Sequence, residues 1–236
     1  MDIIPTRRNL CGQVVHDLGC RIMAGDVKPG DPIPQESTLC DQMGVSRTVI
    51  REAIKSLAAK GLVESRPKRG TIVRSAKSWN YLDPEVLAWQ AQADTSGRQL
   101  FYLTEFRQTI EPMAAALAAE RATEEELQLI SEACEEMERS ADSLDAFMAA
   151  DLRFHCEILH ATGNPFFAPV ANVISVSLVS SLRVTNRQPA DNRASVPVHR
   201  KVMKAICARQ PSKAQAAMRA LLVDATNRIE SAGREA

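Results

Sequence analysis

The sequence has little of what identifies several common protein classes. Its six cysteines include no Cys-x-x-Cys pair, so we expect free structural thiols in a reducing cytoplasm, with a redox sensor as the alternative. No signal-peptide pattern opens the chain and no apolar run reaches the length of a membrane span, which predicts a cytoplasmic protein without a membrane partner. Aromatic residues make up only 4% of the 236 residues, which is compatible with a compact helical bundle.

The net charge of the whole chain is zero, but its N-terminal part and the remainder carry opposite charges. The chain has 29 basic and 29 acidic residues. Residues 1–77 hold 13 Lys and Arg against 8 Asp and Glu, a net charge of +5, so the remainder holds 16 against 21, a net charge of −5. A basic N-terminal part on an acidic body is typical of a protein that offers one face to nucleic acid.

The segment from residue 44 to residue 63 carries the strongest pattern: a turn, a helix with basic residues at its start, and the entry to a strand. Gly44 supplies the turn, and Ser46 is a good N-cap for the helix. The apolar residues of this helix recur at helical spacing and form one face: Val49, Ile50, Ala53, Ile54 and Leu57. Arg47 and Arg51 lie on another face, in the first turns, where a recognition helix meets base edges.

The flanking segments complete a winged helix-turn-helix over residues 5–75. Residues 7–24 and 34–43 predict two further helices, and a hairpin with a basic tip at residues 66–70 predicts a wing that can lie along phosphates or enter the minor groove. The order of these elements favours DNA binding over the alternative, a basic amphipathic helix with a solvated face. The residues expected to contact DNA are Ser46, Arg47, Thr48, Arg51, Lys68, Arg69 and Gly70.

The rest of the chain is expected to be a separate helical domain. Residues 76–83 form a small, polar linker, and every strong signal beyond it is helical. We expect seven helices within residues 84–234, with residues 188–195 as a loop. The fold class is therefore mainly α: an N-terminal winged helix-turn-helix followed by an all-α antiparallel bundle.

A known family shares these motifs. Residues 25–34 read GDVKPGDPIP, residues 36–39 begin with Glu and end with Leu, and residues 44–63 read GVSRTVIREAIKSLAAKGLV. This order resembles the signature of the gluconate-repressor (GntR) superfamily of bacterial regulators, and the remainder looks like the helical effector (FCD) domain of its fatty-acid-regulator branch. The resemblance covers essentially the whole chain and implies a DNA-binding transcription regulator with a small-molecule effector.

A metal site is a further candidate in the helical domain. Asp151 and His155 lie four residues apart on one helix face, and His199 begins a later helix. A carboxylate and two imidazoles can bind a divalent ion such as zinc, although hydrogen-bonded core residues are the alternative. The resemblance implies such a site, because many members of this branch use an Asp-x-x-x-His pair and two further histidines. Leu221 stands where the fourth ligand is expected, so effector oxygens would have to complete the coordination.

Arg107 is the other candidate for the effector pocket. The apolar residues around it indicate that it lies near the buried side of its helix, where a guanidinium requires an anion. The resemblance implies an arginine directed into the pocket, and the alternative is an internal pair with Glu111 four residues later. The expected effector-binding residues are thus Arg107, Asp151, His155 and His199.

The segment around Trp79, Tyr81 and Trp89 narrows the effector class. It is similar to the linker region of repressors of galactonate and related sugar-acid operons, and its aromatic residues are expected to dock the two domains. The sequence therefore predicts a homodimeric repressor of a palindromic operator, released by a small carboxylate. Two other classes remain as alternatives: a metal-dependent enzyme with a DNA-binding appendage, and a structural DNA binder without sequence preference.

Overall fold

The protein, described as a computed structural model, folds into two units. The structure describes residues 10–94, 97–185 and 189–234, and the contacts divide the chain between residues 96 and 97. The predicted starts of the first domain and its first helix, at residues 5 and 7, lie outside the described residues. Each unit is considered by itself.

The first unit is a winged helix-turn-helix followed by one more helix. Its elements are α1 (Leu10–Ala24), α2 (Glu36–Met43), α3 (Arg47–Ala59), β1 (Val63–Arg66), β2 (Gly70–Val73) and α4 (Pro84–Ala93). The strands form an antiparallel hairpin in which Val63 pairs with Val73. The core lies between α1 and α3, where Leu18, Ile50 and Leu57 are fully buried. The predicted helix periodicity therefore marks the buried faces correctly.

Helix α4 packs on α1, within the first unit. It begins at Pro84, after Asp83 accepts hydrogen bonds from two backbone N–H groups as the N-cap. The indole of Trp89 lies directly on Gly19 of α1, where a Cβ atom would come within 2.5 Å of the ring. The boundary expected at residues 76–83 thus differs from the division near residue 96, because Gly19 leaves the space that admits Trp89.

The aromatic residues expected to dock the two domains make their contacts inside the first unit. Trp89 Nε1 donates a hydrogen bond to His16 Nδ1 at 2.9 Å. Trp79 Nε1 donates to the carbonyl oxygen of Arg74 at 3.1 Å, and its ring lies 6.3 Å from that of Tyr81. Trp89 and Trp79 thus extend the core of the winged domain.

The second unit is an all-α bundle, as predicted. Its helices are α5 (Arg98–Arg121), α6 (Glu124–Arg139), α7 (Leu144–His160), α8 (Val170–Thr185), α9 (Pro189–Cys207) and α10 (Pro211–Arg234). Helix α10 packs along α5 and α9, while α7 lies between α6 and α8. A capping box forms the start of α6, since Thr123 and Glu126 each accept a backbone N–H of the other. With α4, seven α-helices follow residue 83 in the described part, which confirms the predicted number.

Two sequence expectations are wrong for this unit. Residues 189–195 are helical, because Pro189 occupies the first turn of α9, where no N–H is needed, and Asn192 donates to the carbonyl of Ala141; residue 188 lies outside the described residues. In addition, Pro165–Leu182 is an 18-residue stretch that is long and apolar enough to cross a membrane by length and composition. In the fold, α8 packs against α5, α7 and α10.

Candidate functional site

The start of α3 presents its polar side chains to solvent. Gly44 adopts the left-handed conformation at the end of α2 (φ 63°), and Ser46 Oγ accepts a hydrogen bond from the N–H of Val49 at 3.4 Å. This cap fixes where α3 begins, so that Arg47 and Thr48 occupy its exposed first turn. The predicted base-reading residues are therefore accessible.

Arg51 is held by a residue of the preceding helix. Its Nε atom lies 2.9 Å from Glu36 Oε2 at the first position of α2. Both side chains remain substantially exposed, at 63% and 39%. The pair orients the guanidinium across the turn between the two helices without removing it from solvent.

The wing continues the basic surface. Its tip lies between β1 and β2, where Lys68 has a positive φ of 61° and Gly70 one of 77°, and Lys68, Arg69 and Gly70 are exposed. An open cleft of about 790 Å³ separates the wing from α2 and α3, and its lining includes Arg47, Lys68 and Arg69. Four of the residues predicted to contact DNA thus border one cleft: Arg47, Lys68, Arg69 and Gly70.

The three predicted metal ligands of the second unit meet in its interior. Asp151 and His155 on α7 and His199 on α9 are buried, and one ligand atom from each lies within 4.8 Å of the others. His199 Nε2 is 2.9 Å and His155 Nε2 is 3.6 Å from Asp151 Oδ1. Ligands of a tetrahedral zinc ion lie about 3.3 Å apart, because zinc–ligand bonds are about 2.0–2.2 Å long. The spacing is compatible with a shared ion.

The hydrogen bonds around this cluster favour a cation. His199 Nδ1 donates to the carbonyl oxygen of Ser195 at 2.9 Å, so its Nε2 is the nitrogen that faces Asp151. Asp151 Oδ1 and His155 Nε2 are buried without a hydrogen-bond partner among the described residues. Unpaired buried polar atoms are costly. A divalent ion bound between Asp151 Oδ1, His155 Nε2 and His199 Nε2 would give each of these buried atoms a partner.

Glu111 on α5 joins Arg107 to this cluster. Arg107 Nε donates to Glu111 Oε1 at 2.5 Å, and His155 Nδ1 donates to Glu111 Oε2. Arg107 and Glu111 are 3% and 1% exposed. The internal pair that the sequence offered as an alternative for Arg107 is therefore present, and its hydrogen bond comes from the Nε of the guanidinium.

The charges of this network shift its pKa values strongly. Burial alone would raise the pKa of Glu111, but the positive charges of Arg107 and His155 lower it to about 2. For His155, burial would lower the pKa, and the carboxylates of Glu111 and Asp151 raise it to about 9. Without a cation, Arg107 and a protonated His155 together balance the two carboxylates, and a divalent ion would replace the charge of His155.

The positions of two residues near the cluster were not predicted from the sequence. Glu111 was considered only as a partner of Arg107, since its second contact is to a residue 44 positions away. Ser195 was assigned to a loop, but the residue is 2% exposed and its hydroxyl has no hydrogen-bond partner in the described part of the chain. Leu221, at the expected fourth ligand position, is 4% exposed in the apolar core.

Comparisons with known proteins decide the family. Residues 10–73 match the model of the bacterial regulatory proteins of the gntR family, and residues 102–224 match the FCD domain. The chain is 34% identical over 227 residues to the galactonate operon transcriptional repressor of Escherichia coli K12, covering 94% of this chain and 97% of that protein. The chain belongs to the GntR family. Like its relatives, it is a DNA-binding transcription regulator with an effector domain, and it is not an enzyme.

Solved structures agree with this GntR-family assignment. A GntR protein of Streptococcus agalactiae is 26% identical with a TM-score of 0.50, covering 90% of this chain and 97% of that one. The regulator Lar, which controls the agr system of Listeria monocytogenes, has a TM-score of 0.65 at 19% identity, covering 96% of this chain and 99% of that one. The second likeness concerns the fold alone.

Proposed function

We propose that this GntR-family regulator is a dimeric repressor of a sugar-acid catabolic operon, released from DNA by a small carboxylate. The observation that carries the effector assignment is the buried meeting of Asp151, His155 and His199 with two ligand atoms unpaired. The galactonate operon repressor, similar over nearly its whole length, supports galactonate as the first effector to test. Cytoplasmic action follows from DNA as the partner.

In this proposal the winged domain divides DNA recognition between two surfaces. Arg47 and Arg51 reach guanine edges in the major groove, and Ser46 and Thr48 contact the adjoining backbone or bases. Lys68, Arg69 and Gly70 follow the phosphates from the wing. A second protomer presents the same surfaces to the other half of a palindromic operator, since a twofold site requires a twofold protein.

The buried network would bind the effector at two places. Asp151, His155 and His199 would hold a divalent ion, which supplies an electrophilic centre for carboxylate and hydroxyl oxygens. With neutral histidines, the sum of Arg107, Glu111 and Asp151 is one negative charge, so a divalent ion leaves the site with one positive charge. That charge fits a monoanionic acid, and the terminal nitrogens of Arg107 can donate to its carboxylate.

Release requires that the effector bind more tightly to the arrangement of domains that does not fit the operator. The effector residues and the DNA-contacting residues lie in different units. Substitutions in the effector site should therefore change release without changing operator affinity in the absence of effector.

The test is a gel-shift titration on the DNA upstream of the regulator's own gene, with galactonate and a panel of other sugar acids. We expect one acid to release the wild type, and chelator-treated protein to require more of it until zinc is restored. Arg107→Lys should bind the operator normally, because lysine keeps the positive charge beside Glu111. It should respond poorly to the acid, because lysine lacks the planar guanidinium that can bind a carboxylate through two hydrogen bonds. Normal release of both the chelated protein and Arg107→Lys would contradict this pocket.

A further inference from the structure

Glu111 is a buried carboxylate with two charged neighbours on different helices. Its Oε1 accepts from Arg107 one turn earlier on α5, at 2.5 Å. Its Oε2 accepts from His155 Nδ1 on α7. Each oxygen thus has one donor, and the carboxylate connects the arginine of the proposed effector pocket to the histidine of the proposed metal site.

The hydrogen bond to Glu111 determines which ring nitrogen of His155 is available to bind a metal ion. A carboxylate held between two donors is ionised and can only accept, so His155 Nδ1 carries a proton. The other nitrogen, Nε2, then faces Asp151 Oδ1 at 3.6 Å and is unpaired within the described residues. Glu111 therefore fixes both the ring orientation and the tautomer that leave Nε2 free to bind an ion.

His199 provides an internal comparison. Its Nδ1 donates to a neutral acceptor, the carbonyl of Ser195 on its own helix. The acceptor for His155 is instead an ionised carboxylate from another helix. A charged acceptor raises the basicity of the opposite ring nitrogen more than a neutral one, so His155 depends more strongly on its outer partner.

We propose that Glu111 is a positioning residue for the metal ligand His155, and that Arg107 anchors Glu111 in that role. This inference rests on the proposed metal site. It adds that metal affinity depends on a carboxylate that does not touch the ion. It also implies that the arginine facing the effector carboxylate belongs to the same hydrogen-bonded chain as the ion.

The experiment measures zinc affinity of the full-length protein, stripped of metal by dialysis and titrated in competition with a chromophoric chelator. Glu111→Gln should bind zinc about 10–100-fold more weakly than the wild type. The amide can accept from only one neighbour and turns its NH₂ group toward the other donor. Glu105→Gln is the matched control, because Glu105 is an exposed carboxylate on the same helix, and its affinity should be unchanged.

A double-mutant cycle separates positioning from general damage. If Glu111 acts through His155, Glu111→Gln should have no further effect on zinc affinity in a His155→Ala background. An equal loss in both backgrounds, or wild-type affinity of Glu111→Gln, overturns the inference while leaving the metal site standing. A wild type that binds no zinc instead refutes the metal site itself.

A measurement on the wild type covers the case in which Glu111→Gln does not fold. Nitrogen-15 NMR of the zinc-loaded protein should show His155 protonated at Nδ1 and bound to zinc through Nε2. The opposite tautomer would overturn the role of Glu111, because its carboxylate could not then accept from Nδ1.

Discussion

Two of the Arg–Glu pairs among the described residues lie in opposite surroundings. Arg51 and Glu36 lie 2.9 Å apart on the surface proposed to face DNA, with 63% and 39% of their side chains exposed. Arg107 and Glu111 lie 2.5 Å apart in the bundle, with 4% and 2% exposed. In water an ion pair can open at little cost and leave its arginine to another anion. In the interior each charge requires its partner, so the pair becomes part of the fold.

This contrast fits the two roles that the proposed function assigns to the two surfaces. A surface that reads DNA has to exchange its partners for phosphates and bases, and exposed, loosely paired arginines allow that exchange. A site that selects one small anion has to hold its donors in place before the ligand arrives, and a buried network does so. In the proposed function, the same residue types thus serve as exchangeable contacts in one unit and as fixed donors in the other.

The largest expected effect tests this contrast through stability. Glu111→Ala should lower the free energy of unfolding of the metal-free protein by about 3–5 kcal/mol, because it leaves Arg107 buried without its partner. Glu36→Ala, the matched change in the exposed pair, should cost less than about 1 kcal/mol. Urea unfolding followed by circular dichroism measures both. Equal effects would mean that burial does not separate the two pairs.

The next effect concerns sequence recognition by the exposed surface. Arg47→Ala and Arg51→Ala should each weaken operator binding by about 1–3 kcal/mol and weaken binding to random DNA much less. Fluorescence anisotropy on the two DNAs at one salt concentration gives the ratio. If both DNAs lose the same affinity, these arginines contact only phosphates. Lys55→Ala, on the same helix and paired with Glu52, serves as the control.

The local parts of this architecture could be predicted because their signals lie within a few residues. Ser46 and the Thr123–Glu126 box mark helix starts through contacts three residues away, and the spacing of Asp151 and His155 places both on one helix face. Non-local parts escaped prediction. The role of Glu111 depends on His155, 44 positions later. The packing of α4 on α1 depends on Gly19, which lies about seventy residues before Trp89.

A substitution at Leu221 tests whether the buried residues of the second unit form a metal site. Leu221→His should tighten zinc binding by about tenfold if the three proposed ligands already converge, because it supplies the fourth nitrogen. The competition titration described above measures the change, and Leu222→His, a neighbouring buried position in the same core, is the control. No gain from Leu221→His would place this residue away from the ligand cluster.

The smallest expected effect belongs to the wing. Lys68→Ala and Arg69→Ala should each weaken binding to operator and random DNA alike, because phosphates are the same in both. Each lost phosphate contact should reduce the slope of log affinity against log salt by about 0.9. Arg51→Ala should instead change the ratio between the two DNAs. A wing substitution that altered this ratio without altering the slope would show that the tip reads bases in the minor groove, so that sequence recognition would extend from α3 to the hairpin.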